Sequence, residues 1–429
     1  MRRTYWRFYW PLAVTGITIV LANQFQNGVL ARYPDSIAEL AIFAYAFSTF
    51  TVFRAALVFV PQMVNLLARS RHAHRVLIGF MAFSALGLSL PLLVVGYTSA
   101  GSSLLGRIFD IDGETLTAVV IYLRRLAPLV LVHAFRQHLQ GLLIQMQSTR
   151  LVTVLNLVYL SVVFGMLVLG FVNEWAAATT LVTALWTSAL VHLALVGLSV
   201  AVSYELPALG HADLSYRAAL GFFWPVAVTS MMFALSRPIL YAYVSHGPDA
   251  SLALVQVASL RVGFDFAAFF HQPLNQLRNL FATYGTSDLA GLRRFQIEIV
   301  AGLSLAMVLV SWSSLDSWIF TRFLGVEGEV LRFASQAFAI LCGLPVVVGF
   351  RNYFHGIALA RLSTEGMALG AVLRAVVILL LAEVVSRSGL LDHRAAAAIL
   401  VVGFAAEAVV VLLALRWTDP GERSVARGR

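Results

Sequence analysis

The sequence predicts an all-α polytopic membrane protein of twelve transmembrane helices, arranged as two parallel repeats of six, and three observations carry that class. Of 429 residues 60% are hydrophobic and 12% charged, with a mean hydropathy of +0.83, where a soluble domain has about 25% charged residues. Runs able to cross about 30 Å of hydrocarbon lie near 10–31, 39–67, 76–98, 115–147, 151–171, 175–201, 218–245, 251–283, 292–314, 329–360, 365–386 and 394–416. The chain also repeats itself. Phe8 to Thr15 (FYWPLAVT) recurs as Phe222 to Thr229 (FFWPVAVT), an offset of 214. At an offset of 215, Ile111 to Leu116 recurs as Val326 to Leu331, and Phe135-Arg136, Gly141 and Ser148-Thr149 recur as Phe350-Arg351, Gly356 and Ser363-Thr364. Six spans per copy is an even number, so both copies share one orientation, as parallel transporter repeats do.

The first run follows Arg2, Arg3 and Arg7 as a signal peptide might, but its copy lies mid-chain and it is too long for a signal peptide's apolar region. It reads as span one, with Asn23, Gln24, Gln26 and Asn27 along it. Span two carries Arg54. Residues 102–113 before span four, and 316–328 before span ten, mix apolar and charged residues and predict segments lying along the interface. The matched Gly113-Glu114 and Gly328-Glu329 then open a helix with an acid in its first turn, where the dipole favours it. Span four contains Pro128 and then Arg136, and span ten contains Pro345 and then Arg351. Proline should break both helices. Each arginine then lies roughly 15 to 20 Å above the edge at Arg150 or Arg361, at about 1.5 Å per residue. Spans five and six carry Tyr159 and His192. Span seven has Arg237-Pro238; span eight has Arg261 with Asp265 at i+4, and Asn275, Arg278 and Asn279. Mid-way along spans eleven and twelve stand Arg374 and Glu407, at the repeat positions of Tyr159 and His192.

The loops and ends on the side of the termini hold fifteen arginines, against five opposite. The positive-inside rule puts both termini in the cytoplasm of a multi-pass protein of the inner or plasma membrane. The expected organisation is an N-lobe at 1–201, a cytoplasmic linker at 202–217, a C-lobe at 218–416 and a cytoplasmic tail at 417–429. All 30 basic residues are arginine. Without lysine the chain has neither a Walker A loop nor a Schiff-base amine, which excludes an ATP-driven pump within this chain and retinal- or pyridoxal-type chemistry. The basic balance is topological, with no basic run interleaved with stacking aromatics to engage nucleic acid.

Charge within the membrane must face a cavity, a partner or an interface. A cation pathway would call for acids, whereas these spans offer guanidinium groups, which are always charged and forked to take carboxylate or phosphate oxygens in pairs. The substrate they suggest is an anion. The candidate binding residues are Arg237, Arg54, Arg278, Arg136, Arg351, Asn23 and Asn27, with Arg237 first because no acid lies within one turn of it. Arg374 and Glu407 read as a buried pair joining neighbouring helices, with proton coupling as the other reading, and Arg261 reads as paired with Asp265. The histidines His133, His138, His271 and His355 lack metal-ligand spacing. No metal or cofactor is expected.

At Phe223-Trp224-Pro225 with Ala227, Ser236-Arg237-Pro238-Ile239 with Val244-Ser245, Val372-Leu373-Arg374, Gly403-Phe404 with Glu407, and Pro345-Val346 with Arg351 and Gly356, the sequence resembles the progressive ankylosis (ANK) family. That family is a branch of the MOP superfamily, which also contains the MATE exporters and lipid-linked oligosaccharide flippases. The resemblance runs the length of the chain and is more specific in its second half. It implies a twelve-helix MOP-type fold, export of small polyanions such as pyrophosphate, nucleotides or citrate, and a cavity bounded by spans one, two, seven and eight. Asn23 stands where the family's first helix is expected to hold an acid. The expectation is a secondary transporter that works by alternating access and is not an enzyme. Its partners would be a small anionic substrate and the lipid bilayer, with no nucleic acid and a monomer as the working unit. The alternatives are a flippase for an anionic lipid-linked headgroup and a MATE-like drug exporter. An intramembrane acyltransferase fits less well, because a catalytic constellation need appear only once and these arginines appear in both copies.

Overall fold

The computed structural model describes residues 2–146, 148–204, 214–247, 249–284, 288–360 and 365–417. The core 205–213 of the predicted linker, most of the tail (418–429) and the repeated Ser363-Thr364 lie outside the described residues. The described residues are helical throughout, without a strand. In chain order the helices of the first half are α1 (Arg2–Leu30), α2 (Ser36–Ala55), α3 (Val60–Leu67), α4 (Arg71–Tyr97), α5 (Ser99–Phe109), α6 (Gly113–Leu126), α7 (Leu129–Gln145), α8 (Thr149–Val172) and α9 (Ala177–Ser203). The second half holds α10 (Tyr216–Ser245), α11 (Ala250–Asn275), α12 (Leu277–Tyr284), α13 (Leu289–Trp312), α14 (Leu315–Ile319), α15 (Gly328–Leu341), α16 (Leu344–Ala360), α17 (Glu365–Arg387) and α18 (His393–Trp417). Among the described residues eleven helices are long and apolar enough to cross a membrane, and twelve when α15 and α16, bent by 42° at their junction, count as one span. All twelve fall on the runs read from sequence.

The breaks have local causes. Pro128 is the N-cap of α7 and Pro345 the second residue of α16, positions where a missing N–H costs nothing because the first turn has no intrahelical acceptor. The eighth span, predicted as one run to 283, divides at Gln276 into α11 and α12, three residues after Pro273. Its counterpart, span two, divides at a 3-10 turn, Ala56–Phe59, ahead of Pro61 in α3. Gly113 and Gly328 have φ of +49° and +61°, a left-handed backbone that glycine adopts without steric cost, which explains why this turn carries glycine in both copies. Gly141 and Gly356 recur for another reason. A Cβ would lie 2.7 Å from Val64 Cβ of α3 at Gly141, and 2.5 Å from Phe281 Cβ of α12 at Gly356, so both glycines allow close helix approach.

Two compact units emerge, residues 21–254 and residues 1–20 with 255–429. They cut the chain differently from the lobes 1–201 and 218–416. In the first unit α2 is apolar all round, with Leu40 to Ala46 buried without interruption. Such a helix needs cover on every face, which α6 supplies on one side and α10 on another, so span seven packs with the first half. In the second unit the start of α1 packs on α13: Tyr5, Trp6 and Tyr9 place their rings 5.9, 5.2 and 5.7 Å from Phe295, and Tyr5 Oη donates to Asp288 Oδ2 at 2.6 Å. α11 is this unit's all-round buried helix, 78% buried along its apolar window, against 17% for α13. Phe83, Leu86 and Leu90 of α4 and Leu305, Leu309 and Trp312 of α13 are exposed, the apolar outer face expected of helices turned to lipid.

The packing repeats as well as the sequence. In the first unit α7 packs on α3, α4, α8 and α9, and α8 on α9. In the second α16 packs on α12, α13, α17 and α18, and α17 on α18.

Candidate anion-binding site

The matched helix trios α7, α8, α9 and α16, α17, α18 each bury a polar cluster, and the second is the more completely bonded. Glu407 of α18, 2% exposed, accepts from Arg374 Nη1 of α17 at 2.5 Å and from Arg351 Nη1 of α16 at 3.4 Å. Its other oxygen lies 3.5 Å from His355 Nε2, one turn along α16 from Arg351. The rest of the Arg351 fork is occupied: Nη2 donates to Asn275 Oδ1 at 2.7 Å and to Asn352 Oδ1 at 3.0 Å, and Nε to Asn352 Oδ1 at 3.3 Å. Asn352 Nδ2 donates to the Leu274 carbonyl at 2.8 Å, fixing that amide at the end of α11. Both guanidinium carbons sit over the Phe404 ring, at 5.1 Å for Arg351 and 4.9 Å for Arg374. Arg278 of α12 completes the positive group; its Nε donates to the Asn275 carbonyl at 3.1 Å, and it lies within electrostatic reach of Glu407. A lone carboxylate removed from water would cost several kcal/mol, and these charge-assisted donors offset that cost.

The first-half cluster has the same plan and different side chains. Arg136 of α7 stands where Arg351 does, Gln140 where His355 does, Tyr159 of α8 where Arg374 does, and His192 of α9 where Glu407 does. Arg136 Nη1 is 3.4 Å from His192 Nδ1, its guanidinium carbon is 5.1 Å from the Tyr159 ring centroid, and Gln140 Nε2 is 3.4 Å from both His192 Nε2 and Asn156 Oδ1. Arg136 and His192 are 9% and 1% exposed. Arg54 of α2 lies within electrostatic reach of Arg136 and Tyr159, and His133 of both arginines and His192. Among the described residues neither Arg54 nor Arg136 has an ion-pair partner. The Nε atoms of both arginines and Nδ1 of His133 are buried without a hydrogen bond. Two like charges with donors unused leave an acceptor and a counter-charge to be supplied, the two things that a carboxylate or phosphate oxygen would bring.

The sequence-derived candidates thus separate into two groups. Arg54 and Arg136 meet in the first unit, Arg278 and Arg351 in the second, and Arg374 and Glu407 bond within the second. Arg261 and Asp265 sit 3.7 Å apart on α11, both buried. Arg237 is half-buried on α10 and is engaged within the protein. Asn27 is fully buried and Asn23 half-buried in the part of α1 belonging to the first unit. Gln140, His133, Asn352 and His355 were not singled out for binding from the sequence. The signal was available for two of them, since Gln140 and His355 each lie four residues beyond a repeated arginine and so on the same helix face. Among the described residues no three His, Cys, Asp or Glu side chains group to hold a metal ion.

The family model described as progressive ankylosis protein (ANKH) matches residues 2–290. The chain belongs to the progressive ankylosis protein family. The match ends in the first turn of α13, so the second-half resemblances at Val372–Arg374 and Gly403–Glu407 lie beyond it. In fold, this family member is similar to an inward-facing multidrug resistance MATE family transporter of the MOP superfamily, with a TM-score of 0.71 at 14% identity over 94% of this chain and 96% of that one. It is also similar to the lipid II flippase MurJ in an inward closed conformation (TM-score 0.69, 12% identity, 94% and 87% covered). A third is a MOP superfamily transporter from Pyrococcus furiosus, reported with a binding pocket of reverse polarity suggesting a different function (TM-score 0.61, 14% identity, 95% and 93% covered). The fold is therefore that of the MOP transporters, in a multi-pass membrane protein of the progressive ankylosis family.

Proposed function

We propose that this protein is a secondary transporter that exports small polyanions, of the pyrophosphate, nucleotide or citrate kind, by alternating access, and is not an enzyme. One observation carries the reading: buried Arg136 and half-buried Arg54, whose Nε atoms are both buried without an acceptor, lie within electrostatic reach of each other in the first unit, and among the described residues no carboxylate pairs with either. A cationic drug, the cargo that likeness to a multidrug MATE transporter brings to mind, would be repelled there. A reverse-polarity pocket is already reported for the Pyrococcus furiosus relative in fold, and a positive site would suit an anion in the same scaffold. The protein sits in the inner or plasma membrane with both termini in the cytoplasm, following the arginine bias of its loops. A negative-inside potential then favours anion efflux by about 2.3 kcal/mol per charge per 100 mV, and no coupling ion is needed for export.

The test is efflux from proteoliposomes loaded in turn with pyrophosphate, a nucleotide, citrate and phosphate. At least one should leave faster than from protein-free vesicles, and Arg54→Gln and Arg136→Gln should each abolish that flux. Arg332→Gln, which removes a solvent-exposed pair with Glu329, should leave it unchanged. Efflux of none of the anions, or unaltered efflux from a well-folded Arg136→Gln protein, would overturn the reading. A lipid-linked anionic headgroup as cargo would show instead as flipping of labelled lipid with no soluble flux.

A further inference from the structure

The two clusters occupy the same place in the repeat, yet one contains its own anion and the other does not. In the second half the guanidinium of α16 is fully used: Glu407 and the amide oxygens of Asn275 and Asn352 accept from Nη1, Nη2 and Nε of Arg351. In the first half the equivalent Arg136, more than nine-tenths buried, reaches the His192 ring at 3.4 Å and the side chain of Tyr159, neither of them a carboxylate, and its Nε has no acceptor. The residues that differ account for the difference. His192 replaces Glu407, so the carboxylate is gone, while Tyr159 replaces Arg374 and Arg54 brings a second guanidinium from α2.

We propose that His192 is the specificity-determining position of the transporter: it leaves Arg136 and Arg54 open to a carboxylate or phosphate group of the substrate, the role Glu407 fills from within the protein in the second half. This inference rests on the anion-transport reading and deepens it by naming the group recognised. An imidazole that accepts from Arg136 at Nδ1 carries its proton on Nε2, where the Gln140 side chain faces it and must turn its amide oxygen to accept, so His192 can orient the fork and the Gln140 amide while bringing no competing negative charge. The geometry around Glu407 shows what the fork and its neighbours hold when an oxyanion is present: one oxygen shared by two guanidiniums and the other facing the side chain four residues beyond the arginine. At that last place the first half has Gln140, whose amide can donate to a bound oxygen.

The repeat itself supplies the decisive variant. His192→Glu writes the second-half residue into the first half and tethers an anion to Arg136, while His192→Gln keeps a neutral hydrogen-bonding side chain. Purified full-length protein in nanodiscs is titrated with inorganic pyrophosphate and with citrate, and its unfolding temperature is followed with and without each probe. The wild type should bind at least one probe. His192→Glu should weaken that binding by about thirtyfold or more and should unfold at a higher temperature than the wild type without ligand, whereas His192→Gln should bind nearly as the wild type does. Loss for only one probe supports the proposal and names the group as phosphate or carboxylate. A folded His192→Glu protein that binds as the wild type does, or equal loss in both variants, overturns the proposal while leaving anion transport standing. If His192→Glu does not fold, the His192→Gln titration decides: retained binding that Arg136→Gln removes supports the proposal, and lost binding overturns it. A folded wild type that neither binds nor moves any tested anion overturns the transport reading and this one together.

Discussion

Glu407 answers to three cationic or polar neighbours, Arg374, Arg351 and His355, so its charge is what makes their burial tolerable. Glu407→Gln keeps the shape and removes the charge. It should lower stability by about 3 to 5 kcal/mol, the cost of leaving a buried partner uncompensated, read as a loss in chemical or thermal unfolding of the detergent-solubilised protein. A change within error would mean the arginines find solvent. At this scale the sequence was legible through the repeat: Tyr159 and His192 could be named as the counterparts of Arg374 and Glu407 from the offset alone. Arg351 Nη2 on Asn275 was not legible, because it depends on the end of α11 meeting α16, a contact between residues 76 apart in sequence. The rank given to Arg237 rested on the lack of an acid within one turn, and tertiary neighbours are invisible to such a criterion.

Helices here start and stop by rules that can be tested one at a time. Gly328 opens α15 with φ of +61°, and a Cβ there would meet nothing within 4 Å, so Gly328→Ala isolates backbone strain from packing. It should cost about 1 to 2 kcal/mol, and Gly113→Ala in the matched turn should cost a similar amount. No cost at either would show that the turn relaxes. Asp288 caps α13, accepting from the Gly291 N–H at 2.8 Å and from Tyr5 Oη at 2.6 Å. These bonds, that from Tyr5 foremost, hold its carboxyl below the usual value. A carboxylate lowered in the folded state stabilises above its unfolded pKa of about 3.9, and that contribution is lost as pH falls through the lower, folded value. Tyr5→Phe should therefore raise the pKa of Asp288, measured by carboxyl NMR or infrared titration, and make the hold of α1 on α13 less dependent on acid pH. The helix boundaries themselves were legible to within a few residues because apolar length and proline position set them. The break at Gln276 follows Pro273 among the polar residues His271, Gln272, Asn275 and Arg278, a signal that overall apolar length passes over.

For the whole molecule, the asymmetry of the arginines predicts which loops share a compartment. Cys342 is the chain's one cysteine, so Arg71→Cys and Arg107→Cys in a Cys342→Ser background can be labelled singly in sealed cells. A reagent that cannot cross the membrane should label position 107 from outside and position 71 only after lysis; the reverse pattern would invert the topology. Architecture was the most legible level, since hydropathy and duplication act over hundreds of residues and average out local error. The regrouping of α10 with α2, and of the start of α1 with α13, escaped it because a repeat records ancestry and not which surfaces meet. The second-half cluster has a further meaning for biosynthesis. Arg351 and Arg374 leave the ribosome on α16 and α17, and the carboxylate they share follows on α18. Until that helix inserts, the two guanidiniums lack the carboxylate that neutralises them, an exposed charge of the kind quality control could read. A chain cut after residue 392 should be recognised as unfinished and degraded quickly in a pulse-chase experiment, and Glu407→Gln in the full-length chain should shorten its lifetime in the same way.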